Sequence, residues 1–171
     1  MNVSTPLPQL SLSEALKEAT SKVTQFTGRA RRSEYWWTYL VVFILNLLLS
    51  WTPILGGIVS FVLGLAMIPL TFRRLHDTGR SGWWWGAGCI IAFIATMIFI
   101  FSLAGAIAIG ANGNVDEMLA AMFSGAGLIM LIPIVYGIVM LVFMCQDSQP
   151  FENKYGPSPK YKDTDENNGR F

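Results

Sequence analysis

Three long stretches without a charged side chain divide the sequence, at residues 35–72, 81–115 and 118–146. Each exceeds the roughly 20 residues that carry an α-helix across about 30 Å of hydrocarbon, so each predicts at least one membrane-spanning helix. The first run holds 38 residues, nearly enough for two crossings. It is broken near its middle by Ser50-Trp51-Thr52-Pro53 and then Gly56-Gly57. Proline at a helix start and glycine beside it punctuate a chain, so this run predicts a tight hairpin with spans at 35–51 and 54–72. A third span starts at Trp83 and reaches about 105, and a fourth covers 127–145. The pattern therefore predicts an all-α integral membrane protein with four transmembrane helices.

Outside the spans the periodicity changes. Ser11-Leu12-Ser13-Glu14 has capping-box spacing, in which a serine hydroxyl and a glutamate each satisfy a free amide at a helix start. Leu12, Leu16, Ala19, Val23 and Phe26 follow at three- and four-residue intervals, which predicts an N-terminal amphipathic helix. Two placements fit it: flat on the inner leaflet with Lys17 and Lys22 at headgroup level, or packed on protein at the central turn. Between spans three and four, Asn114-Val115-Asp116-Glu117 repeats the capping pattern. Val115, Met118, Leu119, Met122 and Phe123 then form a stripe, predicting a short outer helix. The tail past Pro159 is polar and reads as disordered. The chain divides accordingly into an N-terminal cytoplasmic or interfacial segment (1–25), a transmembrane domain (26–159) and a disordered cytoplasmic tail (160–171).

Charge orients this arrangement. All 12 lysines and arginines of the 171 residues lie before the first span, between the second and third, or after the fourth. The two remaining loops carry only Asp116 and Glu117. Because cytoplasmic loops retain basic residues and translocated ones lack them, both termini are predicted to be cytoplasmic. With nine acids on the basic side, that side carries +3 and the other −2, consistent with the net +1. So small an excess does not support nucleic-acid binding. Hydrophobic residues make up 53% and charged ones 13%, an apolar excess for which lipid is the expected neighbour. The first 34 residues lack the apolar core of a secretory signal, so the first span is expected to direct insertion. Cys89 and Cys145 fall near the reducing compartment, where a structural disulfide is not expected. Two cysteines and one histidine fall short of a zinc set, and no cofactor is implied.

The residues flanking the spans form three motifs. They are Phe26-Thr27-Gly28-Arg29-Ala30-Arg31-Arg32-Ser33-Glu34-Tyr35-Trp36-Trp37, Arg73-Arg74-Leu75-His76-Asp77-Thr78-Gly79-Arg80-Ser81-Gly82-Trp83-Trp84, and Asn153-Lys154-Tyr155-Gly156-Pro157-Ser158-Pro159. Together they resemble the signatures of the bacterial inner-membrane family called domain of unknown function 805, over about residues 26–159. The third motif departs at Phe151, where the family often has glycine. The resemblance implies an inner-membrane location and this topology, but no reaction.

Physically, Gly79 sits where a left-handed cap would close span two, making Thr78-Gly79-Arg80-Ser81 a compact turn before Gly82 and Trp83. Asp77 lies four residues after Arg73 and three after Arg74, within pairing reach of either, and Glu34 is a further partner. Trp36, Trp37, Trp83, Trp84 and Trp85 suit an inner aromatic belt and Trp51 an outer one. Arg29, Arg31, Arg32, Arg73, Arg74 and Arg80 converge at headgroup depth, where guanidinium grips phosphate through paired donors. The requirement for positive inner loops would place arginines there as well. His76 and the adjacent Asp77 point apart on a helix, so they do not form an oriented acid-base dyad, and no catalytic residue is assigned. No ionisable group lies mid-span, where only Asn46, Ser60 and Thr96 are polar, and coupled transport normally needs one. Small residues at four-residue spacing, Gly56, Ser60, Gly64 and Gly88, Ala92, Thr96, favour close helix approach and a homo-oligomer or membrane-protein partner. Three functions stay open: a scaffold or interaction module contacting anionic phospholipid headgroups or a partner; a transporter or channel component for a small or lipid-linked anion; and, least supported, an enzyme.

Overall fold

The computed structural model describes residues 4–110, 115–123 and 129–163. Asn114, the start of the predicted fourth span and residues 164–171 lie outside the described residues. Along the chain run β1 Ser4–Pro6, α1 Leu12–Ser21, α2 Arg32–Leu49, α3 Pro53–Asp77, α4 Trp83–Gly110, α5 Val115–Phe123, α6 Leu131–Cys145 and β2 Tyr161–Asp163. They divide into two compact units, Met1–Gly82 with Phe143–Phe171, and Trp83–Val142.

In the first unit, Ser11 caps α1 as its spacing predicts. Its backbone amide donates to the Glu14 carboxylate at 2.8 Å and its hydroxyl accepts from the Glu14 amide at 3.4 Å. Accepting that backbone amide holds the Glu14 carboxyl below its ordinary pKa. The helix stops at Ser21, short of the expected stripe, and Leu12, Val23 and Phe26 are exposed. Its buried face is Ala15 and Ala19 instead. Alanine lets the backbone approach closely, so α1 lies on α2, and Ala19 joins Ala30 and Leu70 in a buried cluster edged by Tyr35 and Met67. The helix thus packs on α2 through its alanines, with Leu12, Val23 and Phe26 left exposed.

The hairpin turn forms where the sequence places it. Pro53 occupies the first turn of α3, and the Thr52 amide closes back on the Leu49 carbonyl at 3.0 Å. Asn46 and Ser60 hydrogen-bond across the α2–α3 pair, which satisfies two polar groups inside apolar segments. Helix α3 continues five residues past the expected end at 72. Arg73 to Asp77 remain helical because the stop signal is Gly79. Gly79 adopts φ +78°; its amide donates to the His76 carbonyl at 3.0 Å and the Arg80 amide to the Leu75 carbonyl at 2.9 Å. That pair of bonds is the Schellman closure, which needs a left-handed residue. A Cβ on Gly82 would run into the Phe72 ring.

After α6 the chain folds back, and β2 pairs antiparallel with β1, Thr5 opposite Lys162 and Pro6 opposite Tyr161. Residues 161–163, placed by sequence in a disordered tail, are thus a strand. Both chain ends supply its hydrogen-bonding partners, which no local pattern reveals.

In the second unit, α5 packs on α4. Met118 lies inward, while Val115 and Leu119 are exposed. The Tyr136 ring lies against Gly88, and its hydroxyl donates to the Trp84 carbonyl at 2.5 Å. Of the predicted small-residue face, Gly88 makes this contact while Ala92 and Thr96 are exposed.

Among the described residues two helices, Pro53–Asp77 and Trp83–Ala108, are long and apolar enough to cross a membrane, and Leu131–Cys145 is apolar but shorter. Their surfaces carry large bare side chains, among them Ile54 at 81% and Phe101 at 75% exposed, far more apolar surface than a water-soluble monomer presents.

Candidate functional site

Apart from Trp83 and Trp84, the three sequence motifs meet in the first unit. Arg29 stands in the approach to α2, Glu34 in its first turn, and Arg73, Arg74 and Asp77 in the last turns of α3. All five are buried. Arg73 Nη1 donates to Glu34 Oε1 at 2.9 Å. Asp77 receives Arg29 Nε on one carboxylate oxygen at 3.0 Å, and Arg74 Nη1 at 2.6 Å together with the Ser148 hydroxyl at 2.5 Å on the other. The predicted inner-surface network is therefore an internal one, with Asp77 pairing Arg74 three residues back and Arg29 from 48 residues away.

Three buried guanidinium groups face two buried carboxylates, an excess of one positive charge. Backbone carbonyls offset it. Arg74 also donates to the Met144 carbonyl at 3.1 Å and to that of Gln146. Arg29 reaches the carbonyls of Gln149 at 2.6 Å, Phe151 at 2.9 Å and Gly156 at 3.2 Å. Helix α3 ends at Asp77 and α6 at Cys145, and each helix C-terminus contributes roughly half a negative charge. Two ends together match the surplus. Among the described residues Arg73 keeps two buried donors, Nε and Nη2, without a hydrogen-bond partner.

The third motif is drawn in by the same groups. The Asn153 side-chain amide donates to the His76 carbonyl at 3.0 Å, and its oxygen accepts from the Tyr155 amide at 2.9 Å. Tyr155 stacks on the His76 ring, centroids 3.8 Å apart, and His76 Nδ1 lies 3.2 Å from the Gly28 carbonyl. Gly156, at φ +122°, bridges back to Asn153 ahead of exposed Pro157. Phe151 is not in the left-handed region, so its turn does not require the glycine often found there. His76 and Asp77 are thus held by separate partners and share no hydrogen bond.

The remaining predicted arginines lie outward. Arg80 donates to the Gln146 side chain at 2.6 Å and stacks over Phe143 at 3.8 Å. Arg31 and Arg32 each make one side-chain bond, to the carbonyls of Pro8 at 3.1 Å and Cys145 at 3.4 Å, and neither is in a salt bridge among the described residues. They flank a cavity of about 410 Å³ walled by Trp36, Trp37 and Leu40 on α2, by Leu7–Gln9 and by Lys160. Both indoles are fixed, Trp36 Nε1 donating to the Met144 carbonyl at 3.3 Å and Trp37 Nε1 to that of Leu10 at 3.1 Å. Trp83 belongs to the other unit, exposed at the start of α4.

Sequence reasoning missed Ser148, Gln149, the Lys160–Asp147 pair at 2.5 Å and the cavity. Lys160 hydrogen-bonds the Asp147 carboxyl and holds it below its ordinary pKa. Only the capping of Asp77 by a nearby hydroxyl had a signal, since a buried carboxylate with two cationic partners still has lone pairs to fill.

Helices of membrane-crossing length and apolarity, with a buried ion-pair cluster where the polar ends of α2 and α3 meet, define a helical membrane protein. The chain belongs to the family described as protein of unknown function DUF805, whose profile matches residues 23–157. Inner membrane protein YhaH of Escherichia coli strain K12 is 33% identical over 147 residues, which cover 79% of this chain and 87% of the relative. Inner membrane protein YhaI of the same strain is 26% identical over 144 residues, covering 80% and 86%. No solved structure matches the chain.

Proposed function

We propose that this chain is a four-span protein of the bacterial inner membrane with both termini cytoplasmic. It acts without catalysis, as a small scaffold or interaction module whose Arg/Trp face meets anionic phospholipid headgroups or a partner protein. One observation carries this reading: the carboxylates and half of the arginines of the motifs are bound to one another inside the fold, while Arg31 and Arg32 stand beside Trp36 and Trp37 without a salt bridge among the described residues. The first group builds a rigid platform and the second presents charge at its edge. The distribution of all 12 basic residues supports the orientation, and open space beside Gly57 and Gly64 on α3 supports helix–helix association.

Topology is tested by a reporter fused after Val115, which is expected to read non-cytoplasmic; a cytoplasmic signal would rule out four spans. For the platform, native mass spectrometry of the purified protein is expected to retain anionic phospholipid in preference to phosphatidylcholine. A second reading, passage of a small or lipid-linked anion, is favoured by the two unpartnered donors of Arg73. Proteoliposome flux of phosphate or chloride that disappears in Arg73→Lys would replace the scaffold with that reading.

A further inference from the structure

The cavity beside α2 joins two chemistries. Its charged wall holds Arg31, Arg32 and Lys160 against one acid, Asp147. Lys160 is already paired with that acid; Glu14 lies within coulombic reach of Arg31 but forms no salt bridge with it, so the lining itself keeps a positive excess. Each guanidinium has five donors and gives one to a backbone carbonyl. Arg31 is also the N-cap of α2 and provides no side-chain cap, so the helix adds its positive end to the same wall. The opposite wall is apolar. Trp36 and Trp37 are held by their indole N–H bonds, and Leu40, 43% exposed, continues onto the bare apolar surface of α2 at Phe43, Ile44 and Leu47. A cavity of about 410 Å³ falls in the range of small-ligand sites, roughly 300–1,000 Å³.

We propose that this cavity seats the headgroup phosphate of an anionic phospholipid between Arg31 and Arg32, with the acyl chains running past Trp37 and Leu40 along α2. A free phosphate would need only the charged wall. The apolar wall leading directly into a membrane-length hydrophobic surface is what selects a lipid. The inference rests on the reading that this face meets the membrane surface. It goes further by committing to one pocket, two walls of which, Leu7–Gln9 and Lys160, lie outside the family match at 23–157.

The test uses the full-length protein, delipidated in neutral detergent and titrated with phosphatidylglycerol or phosphatidylcholine, with bound lipid read by native mass spectrometry. Wild type is expected to prefer phosphatidylglycerol. The Arg31→Ala/Arg32→Ala variant is expected to weaken that binding about fivefold per arginine removed, with an unfolding midpoint lowered only slightly, because neither arginine is in a salt bridge among the described residues and each gives up one hydrogen bond to a carbonyl. Leu40→Trp fills the apolar mouth without altering charge and is expected to weaken it as well. If both variants bind phosphatidylglycerol as wild type does, the pocket is refuted while the lipid-contacting platform survives. If wild type shows no preference, the pocket and the lipid side of the platform fall together. Displacement of the lipid by millimolar inorganic phosphate, or loss of a dimer rather than of lipid in the double variant, would overturn the proposal in favour of a free anion or a second copy of the chain.

Discussion

At Asp77 one carboxylate accepts from Arg29, Arg74 and Ser148 with no exposure to solvent. Truncating it leaves two buried guanidiniums without their counter-ion, and breaking a buried pair in that way costs about 3–5 kcal/mol. Asp77→Ala is therefore expected to unfold at a markedly lower temperature in detergent, followed by circular dichroism. Ser148→Ala removes one neutral partner from the same oxygen and is expected to cost only about 1–2 kcal/mol. Arg73 gives a sharper contrast. Arg73→Ala strands the Glu34 carboxylate, with a loss again of about 3–5 kcal/mol. Arg73→Lys retains a cation for Glu34 and removes both unpartnered donors, so it is expected to be the milder change by the same melting assay. An Arg73→Lys protein as unstable as Arg73→Ala would mean that Nε and Nη2 have a partner.

Helix ends decide where the elements stop, and the two best-defined ends behave differently on substitution. Gly79 combines φ +78° with close approach of the Gln149 side chain. Gly79→Ala must adopt a left-handed backbone, costing about 1–2 kcal/mol, and must also push Gln149 aside, loosening its hydrogen bond to the Thr78 carbonyl. Ser11→Ala removes only the cap of α1, worth about 1 kcal/mol. Since α1 covers Ala30 and Leu70, hydrogen exchange is expected to rise across α1 in Ser11→Ala, whereas Gly79→Ala should raise it in α3's last turn and at residues 146–150. Equal patterns in the two variants would contradict separate roles for these ends.

Over the whole molecule, the closure of the chain ends is the feature most open to solution conditions. Asp147 is held below its ordinary pKa by Lys160. Its lowered folded pKa means that its contribution is present above the unfolded value, near 3.9, and is lost as pH falls through the folded value. With the side chain half exposed, the pair is worth at most about 1 kcal/mol. Limited proteolysis near β1 and β2 is expected to accelerate below about pH 4 in the native chain. Asp147→Asn should cleave at the faster rate already at neutral pH and show less acid dependence; an unchanged rate at neutral pH would show that β1–β2 pairing alone holds the ends.

Much of this architecture is legible in the residues taken in order. The apolar runs, the break at Thr52-Pro53, the Ser11 capping box and the left-handed Gly79 follow from interactions within a few positions, where helical period and backbone sterics leave few alternatives. Even the candidate pairing of Asp77 with Arg74 is such a local contact, three residues apart. The tertiary structure decided the rest. It turned the arginine cluster inside out, burying Arg29, Arg73 and Arg74 in pairs while leaving Arg31 and Arg32 at a cavity. It brought Ser148, Gln149, Asn153 and Tyr155 onto the end of α3, and paired β2 with β1. Apart from the Arg74–Asp77 pair, these contacts join residues 39 to 159 positions apart, whose meeting depends on how helices pack and where the chain returns. A buried charge must find its counter-ion wherever the fold supplies one, and the sequence names the charges without naming the partners.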